Sequence, residues 1–150
     1  MNYLLNEHKP RYDAWFKALL AIPLCMVLAV AVLLYASGSE EIWEVPVVLA
    51  FLLLLFWFIM PRKFLVMNDR LRLVMGAFLG FNIPYNNIKE IRKPGTWTAG
   101  VNYMTSTRTA LEIVLKKGLT ISIAPEDRQL FLDDINRAIM QWRRSDNIND

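Results

Sequence analysis

Three basic residues have a spacing that suits phosphate chemistry. Lys63, Arg70 and Arg72 stand as Lys-x6-Arg-x-Arg, and residues at i and i+2 of a strand project to one face. From there the planar forks of Arg70 and Arg72 can both reach a phosphate. Arg62, Arg92 and Lys93 extend the set. The six residues Arg62, Lys63, Arg70, Arg72, Arg92 and Lys93 are the candidate contacts for anionic headgroups. A solvated basic face beside an apolar helix is the plainer reading, because topology alone demands it. Glu126, Asp127, Asp133 and Asp134 invite a hard-cation reading. First-turn dipole partners and a solvated helix face explain them more simply. The chain has one cysteine, Cys25, and one histidine, His8. A lone cysteine builds neither a disulfide framework nor a zinc site. His8 reads as a tail residue without a partner, so no Ser-His-Asp triad is expected in the folded part. No catalytic residue, metal or cofactor is predicted.

These residues hang on two uncharged stretches, residues 18–36 and 45–61. A helix rises about 1.5 Å per residue, so roughly 20 residues cross a hydrocarbon core of about 30 Å. Both stretches are apolar all round, unlike the striped helices of soluble domains. They predict a transmembrane hairpin. Leu34-Tyr35-Ala36-Ser37-Gly38 loosely resembles a signal-peptide cleavage region, but the apolar run exceeds the usual 7–15 residues. Residues 1–17 carry Lys9, Arg11 and Lys17 among Tyr12, Trp15 and Phe16, which suits a headgroup belt. The connection holds Glu40, Glu41 and Glu44 and no Lys or Arg, while Arg62 and Lys63 follow the second span. The positive-inside rule then places both termini in the cytoplasm, in the cytoplasmic (inner) membrane.

From Arg62 onward there are fourteen Lys and Arg against nine Asp and Glu. That excess suits an anionic leaflet and is too evenly spread for nucleic acid. Residues 62–144 read as one small module. Phe64-Leu65-Val66-Met67 and Leu71-Arg72-Leu73-Val74 are β-type runs about the turn pair Asn68-Asp69. Gly76 and Gly80 bracket a turn, residues 81–85 form a third strand, and Pro84 must end it or place it at an edge. Residues 88–93 form a fourth strand, residues 94–107 a long loop or a loop with a short strand at 101–105, and residues 110–115 and 119–123 a hairpin about Lys116-Lys117-Gly118. A helix closes the module. Pro125 suits its first position, with Ala124 as N-cap, and Phe131, Ile135, Ala138, Ile139 and Trp142 make one apolar stripe. Residues 145–150 read as a polar tail.

An ordered set of short motifs carries a family resemblance. It runs Phe64-x-Val66-x-x-Asp69-x-Leu71-x-Leu73-x-x-Gly76, then Ile83-Pro84-Tyr85-x-x-Ile88-x-x-Ile91. Leu111-x-Ile113 follows, and then Ile121-Ser122-Ile123-Ala124-Pro125-x-Asp127-x-x-x-Phe131. Behind two apolar spans, this resembles the small bacterial membrane proteins that carry a pleckstrin-homology-like (PH-like) domain. Ala124 departs from the family's usual Ser. The resemblance implies a membrane protein with a two-helix hairpin and an α+β PH-like domain. That domain would be a partly open β-barrel closed by the C-terminal amphipathic helix. It implies no enzymatic activity. The spacing of Lys63, Arg70 and Arg72 also resembles the phosphoinositide signature of eukaryotic PH domains. Trp97, Tyr103 and Met104 are the candidate partner-binding residues, since aromatics and Met are common at interface centres. Their plainer role is to fold back over an open barrel end. The expected partners are membrane lipids and an unidentified protein, and the expected function is that of a scaffold, with a headgroup sensor as the alternative.

Overall fold

The structure, a computed structural model, describes residues 3–76, 79–95 and 100–149. Helices α1 (Ala14–Ser37) and α2 (Val45–Ile59) form a hairpin about a short 3-10 turn over Glu40–Glu44. α1, and α2 taken together with that turn (Glu40–Ile59), are long and apolar enough to cross a membrane. Neither buries a residue against the protein, so their apolar faces serve no core within the chain. α1 continues through Pro23 without a break.

Two four-stranded sheets follow. Strands β2 (Pro61–Met67), β3 (Arg70–Met75) and β4 (Leu79–Pro84) run antiparallel in the order of the chain. The second sheet has β5 (Ile88–Arg92) and β6 (Gly100–Tyr103) at its edges, with β7 (Leu111–Leu115) and β8 (Thr120–Ile123) between, in the order β5-β7-β8-β6. β6 pairs parallel to β8, and the other pairs are antiparallel. The strands alternate as a half-buried sheet requires: Phe64 and Val66, Leu71 and Leu73, and Ile113, Ile121 and Ile123 turn inward to one core. The sheets form no closed barrel among the described residues. Pro84 ends β4, an edge strand, because it has no amide for a further ladder bond. Gly80, expected in a turn, lies inside β4 beneath Arg72, and a Cβ there would sit 3.1 Å from Arg72 Nε. Gly76 has φ +52°, and a Cβ would meet the Phe58 carbonyl oxygen at 2.8 Å. That close approach ties the end of β3 to the last turn of α2.

The N-terminal residues are not a loose tail. Residues 4–8 form β1 (Leu4–His8), which adds to the edge of β2 with His8 opposite Phe64. The chain then crosses to the second sheet: Glu126 N donates to Lys9 O at 2.8 Å and Arg11 N to Ala124 O at 2.9 Å, with Pro10 and Pro125 bridged. Asp13 N closes the strap on Thr105 O at 3.0 Å. The folded module therefore draws on residues before the hairpin as well as after it, and a boundary at residue 62 leaves the strap out.

α3 (Arg128–Asn149) packs its stripe on the core as expected: Phe131, Ile135 and Ala138 are buried, and Ile139 and Trp142 partly so. Its start differs. Asp127 is the N-cap, its Oδ1 accepting Leu130 N at 3.0 Å, while Ala124 and Pro125 are buried under the strap. Pro125 cannot open the helix because it is bridged to Pro10 in extended backbone. The helix also continues to Asn149 through the residues expected to be a tail. Asp127→Ala should therefore cost about 0.5–2 kcal/mol in a denaturant melt. Ala124→Ser should lower the midpoint as well, because it buries a hydroxyl where no cap is needed. A gain from Ala124→Ser would restore the earlier start of the helix.

Candidate functional site

The six basic candidates do not converge. Arg62 turns back to the hairpin, with its guanidinium 3.9 Å from the centre of the Trp57 ring. Lys63 Nζ pairs with Glu7 Oε1 of the strap at 2.9 Å. Arg70 forks onto Asp69, its neighbour, at 2.6–3.0 Å, and these hydrogen bonds outweigh burial to hold the Asp69 carboxyl below its usual range. A strand rises about 3.3 Å per residue, so Arg70, beyond the far end of β2, stands roughly 20 Å along the strand from α2. Arg72 is exposed and lies across Gly80. Arg92 belongs to the other sheet and bonds Glu112 at 2.7 Å and Glu90 at 3.2 Å, with Lys93 exposed next to it. Lys63, Arg70 and Arg92 thus carry their own carboxylates.

The partner candidates divide. Trp97 lies outside the described residues. Tyr103 and Met104 sit at the junction of hairpin and domain, where they line a cavity of about 90 Å³ with Phe16, Phe56, Ile59 and Met60. Burial pushes the Tyr103 hydroxyl pKa up. Its ring lies 6.0 Å from Phe81, and Phe81 and Leu79 of β4 are both about half exposed.

His8 joins the core. Its Nε2 lies 3.1 Å from Asp134 Oδ2, and its ring meets Phe131 edge-on at 5.2 Å. The approach is an ion-pair distance without hydrogen-bond alignment, since Nε2 has no hydrogen-bond partner. His8 and Asp134 are 7% and 9% exposed, so β1 seals this pair from any substrate. Among the described residues no group of three or more His, Cys, Asp or Glu is placed to hold a metal.

One grouping has no signature in the sequence. The loop after β6 docks under the start of α1: Thr107 N donates to Asp13 Oδ2 at 3.1 Å, and the Thr105 hydroxyl to Arg11 O. This brings Arg11, Asp13, Trp15 and Arg108 around one cleft of about 470 Å³. Burial raises the Asp13 pKa, but bonds from Ser106 and Thr107 and the nearby Arg11 and Arg108 prevail and hold it below the ordinary value.

The family model described as a bacterial PH domain matches residues 62–138, just over half of the 150-residue chain. No curated protein matches the chain.

Proposed function

Because the chain belongs to the bacterial PH domain family, we propose that it is a membrane-anchored docking protein without catalytic activity. In this reading α1 and α2 cross the cytoplasmic membrane, both termini face the cytoplasm, and the two sheets with α3 act as a partly open barrel that recruits a protein partner. The observation that carries the reading is the pairing of β1 with β2. These strands flank the hairpin, so two crossings return the chain to the side where the sheet is assembled, and a single crossing would separate them. Lys9, Arg11, Lys17, Arg62 and Lys63 at that end, against Glu40, Glu41 and Glu44 at the other, make it the cytoplasmic one. Both ends of the hairpin are held by the domain, which raises its effective concentration for anything at the membrane surface. Leu79 and Phe81 offer apolar surface on a sheet edge, beside Tyr103 and Met104, with Trp97 as a further proposed anchor.

A photo-crosslinking residue at Phe81 tests the docking role in cells. We expect a discrete protein adduct from Phe81 and none from Lys89 on β5. Lipid adducts alone from Phe81 would favour the second reading, a binder of anionic headgroups, which the placement of Arg62 against Trp57 supports. Topology is checked in a Cys25→Ala background. A cysteine at Ser39 should react with a membrane-impermeant maleimide in intact cells, and one at Ser145 only after the cells are opened. The reverse pattern would overturn the orientation.

A further inference from the structure

We propose that the cleft at the start of α1 takes the phosphate of an anionic phospholipid between Arg11 and Arg108. The proposal rests on the reading of α1 and α2 as a membrane hairpin. Arg11 precedes α1 by three residues, and Arg108 is brought to it by the loop after β6. Three contacts fix that loop: Asp13 N to Thr105 O at 3.0 Å, Thr107 N to Asp13 Oδ2 at 3.1 Å, and Arg108 N to Ser106 Oγ at 3.2 Å. Asp13 shares the cleft with both arginines, with Arg11 Nε 3.5 Å from its Oδ1 and Arg108 close enough to act on its charge. It pairs with Arg11 and leaves the trio with one net positive charge. The Arg108 guanidinium is exposed and makes no hydrogen bond or ion pair among the described residues, so its donors are open to an incoming oxyanion. Trp15, 43% exposed, closes one wall of the cleft at the first turn of the span, where headgroup phosphates lie and Trp rings concentrate. That depth selects a lipid phosphate over one from solution. The same residues distinguish this site from the outer face of β3, whose Arg70 is already forked onto Asp69.

The test uses the full chain in phosphatidylcholine vesicles containing spin-labelled phosphatidic acid or spin-labelled phosphatidylcholine. The immobilised fractions give the preference for the anionic lipid. One net charge near the surface is worth about 1 kcal/mol, or about fivefold. Wild type should show about that preference. Arg108→Gln should reduce it to about twofold or less, and Arg11→Gln with Arg108→Gln to one or below. Arg70→Gln with Arg72→Gln should leave it unchanged. If the double Gln variant cannot be refolded, Arg108→Gln decides alone, because that side chain makes no hydrogen bond or ion pair among the described residues. Loss of preference in the Arg70/Arg72 variant but not in the Arg108 variant would keep the headgroup reading and overturn this site. Competition by excess inorganic phosphate at constant ionic strength would overturn the lipid source. Equal immobilisation of both lipids by wild type would overturn lipid recognition altogether, and release of the protein by an alkaline wash would overturn the hairpin beneath it.

Discussion

Residues 62–150 expressed without the N-terminal strap should be molten or aggregation-prone, whereas the same residues joined to 1–13 through a short linker should fold cooperatively. Outside the β1–β2 ladder, five amide-to-carbonyl hydrogen bonds hold the strap among the described residues. They are the reciprocal pair of Tyr3 with Asn68, and those of Lys9 with Glu126, Arg11 with Ala124 and Asp13 with Thr105. At about 0.5–1.5 kcal/mol each, they contribute on the order of 5 kcal/mol. A small domain holds only about 5–15 kcal/mol in all. Removing the strap also opens the edge of β2 and uncovers the Phe131 ring on the side where His8 meets it, a surface that invites strand addition. The hairpin itself contributes no strand to either sheet. The Tyr12 hydroxyl donates to Pro61 O, so the two ends of the hairpin lie within reach of one tyrosine side chain. A Gly/Ser linker of about eight residues, with a mean span near 16 Å, bridges them. Urea unfolding followed by Trp fluorescence and far-UV circular dichroism compares the two forms. Equal midpoints would reduce β1 to an ornament.

Phe131→Ala in the strapped, hairpin-free form should cost about 3–5 kcal/mol, including the cavity left behind. The ring is fully buried and stands edge-on to both Phe64, at 6.3 Å, and His8, at 5.2 Å. It therefore joins α3, β2 and the strap at one point. Asp133→Ala, at an exposed residue whose carboxylate accepts a hydrogen bond from Gln129 one turn earlier, should shift stability by no more than about 0.5 kcal/mol. A cost from Asp133→Ala as large as that from Phe131→Ala would mean that α3 does not close the domain.

What the sequence discloses follows the range of the interactions involved. The apolar spans, the turn at Asn68-Asp69 and the β7–β8 hairpin are local patterns, and each appears where those patterns put it. The stripe of α3 is periodic and equally legible. Its start was misplaced because Pro125 and Asp127 both satisfy N-terminal rules, and only the bridge from Pro10 decides between them. Leu4-Leu5-Asn6-Glu7-His8 has no alternating pattern, so nothing local makes it a strand. It becomes one because the edge of β2, far along the chain, needs a partner. The same distance hid the docking of the loop after β6 on Asp13, which brings Arg11 and Arg108 to one cleft. Conversely, the compact spacing of Lys63, Arg70 and Arg72 is plain in the sequence, yet the fold answers Lys63 with Glu7 and Arg70 with Asp69, and lays Arg72 over Gly80.

The strap also sets an order of events in biosynthesis. β1 leaves the ribosome before both helices, and its partner β2 emerges only after them. Closing a free loop of that length, about 50 residues, costs roughly 3.5 kcal/mol plus a constant. In the proposed topology, insertion of the hairpin brings the loop ends together before any sheet exists, so the bilayer does the work of closure. Translocation and sheet assembly are then one pathway, in which a charge introduced in the middle of α2 would surface as a misfolded β-sheet many residues away.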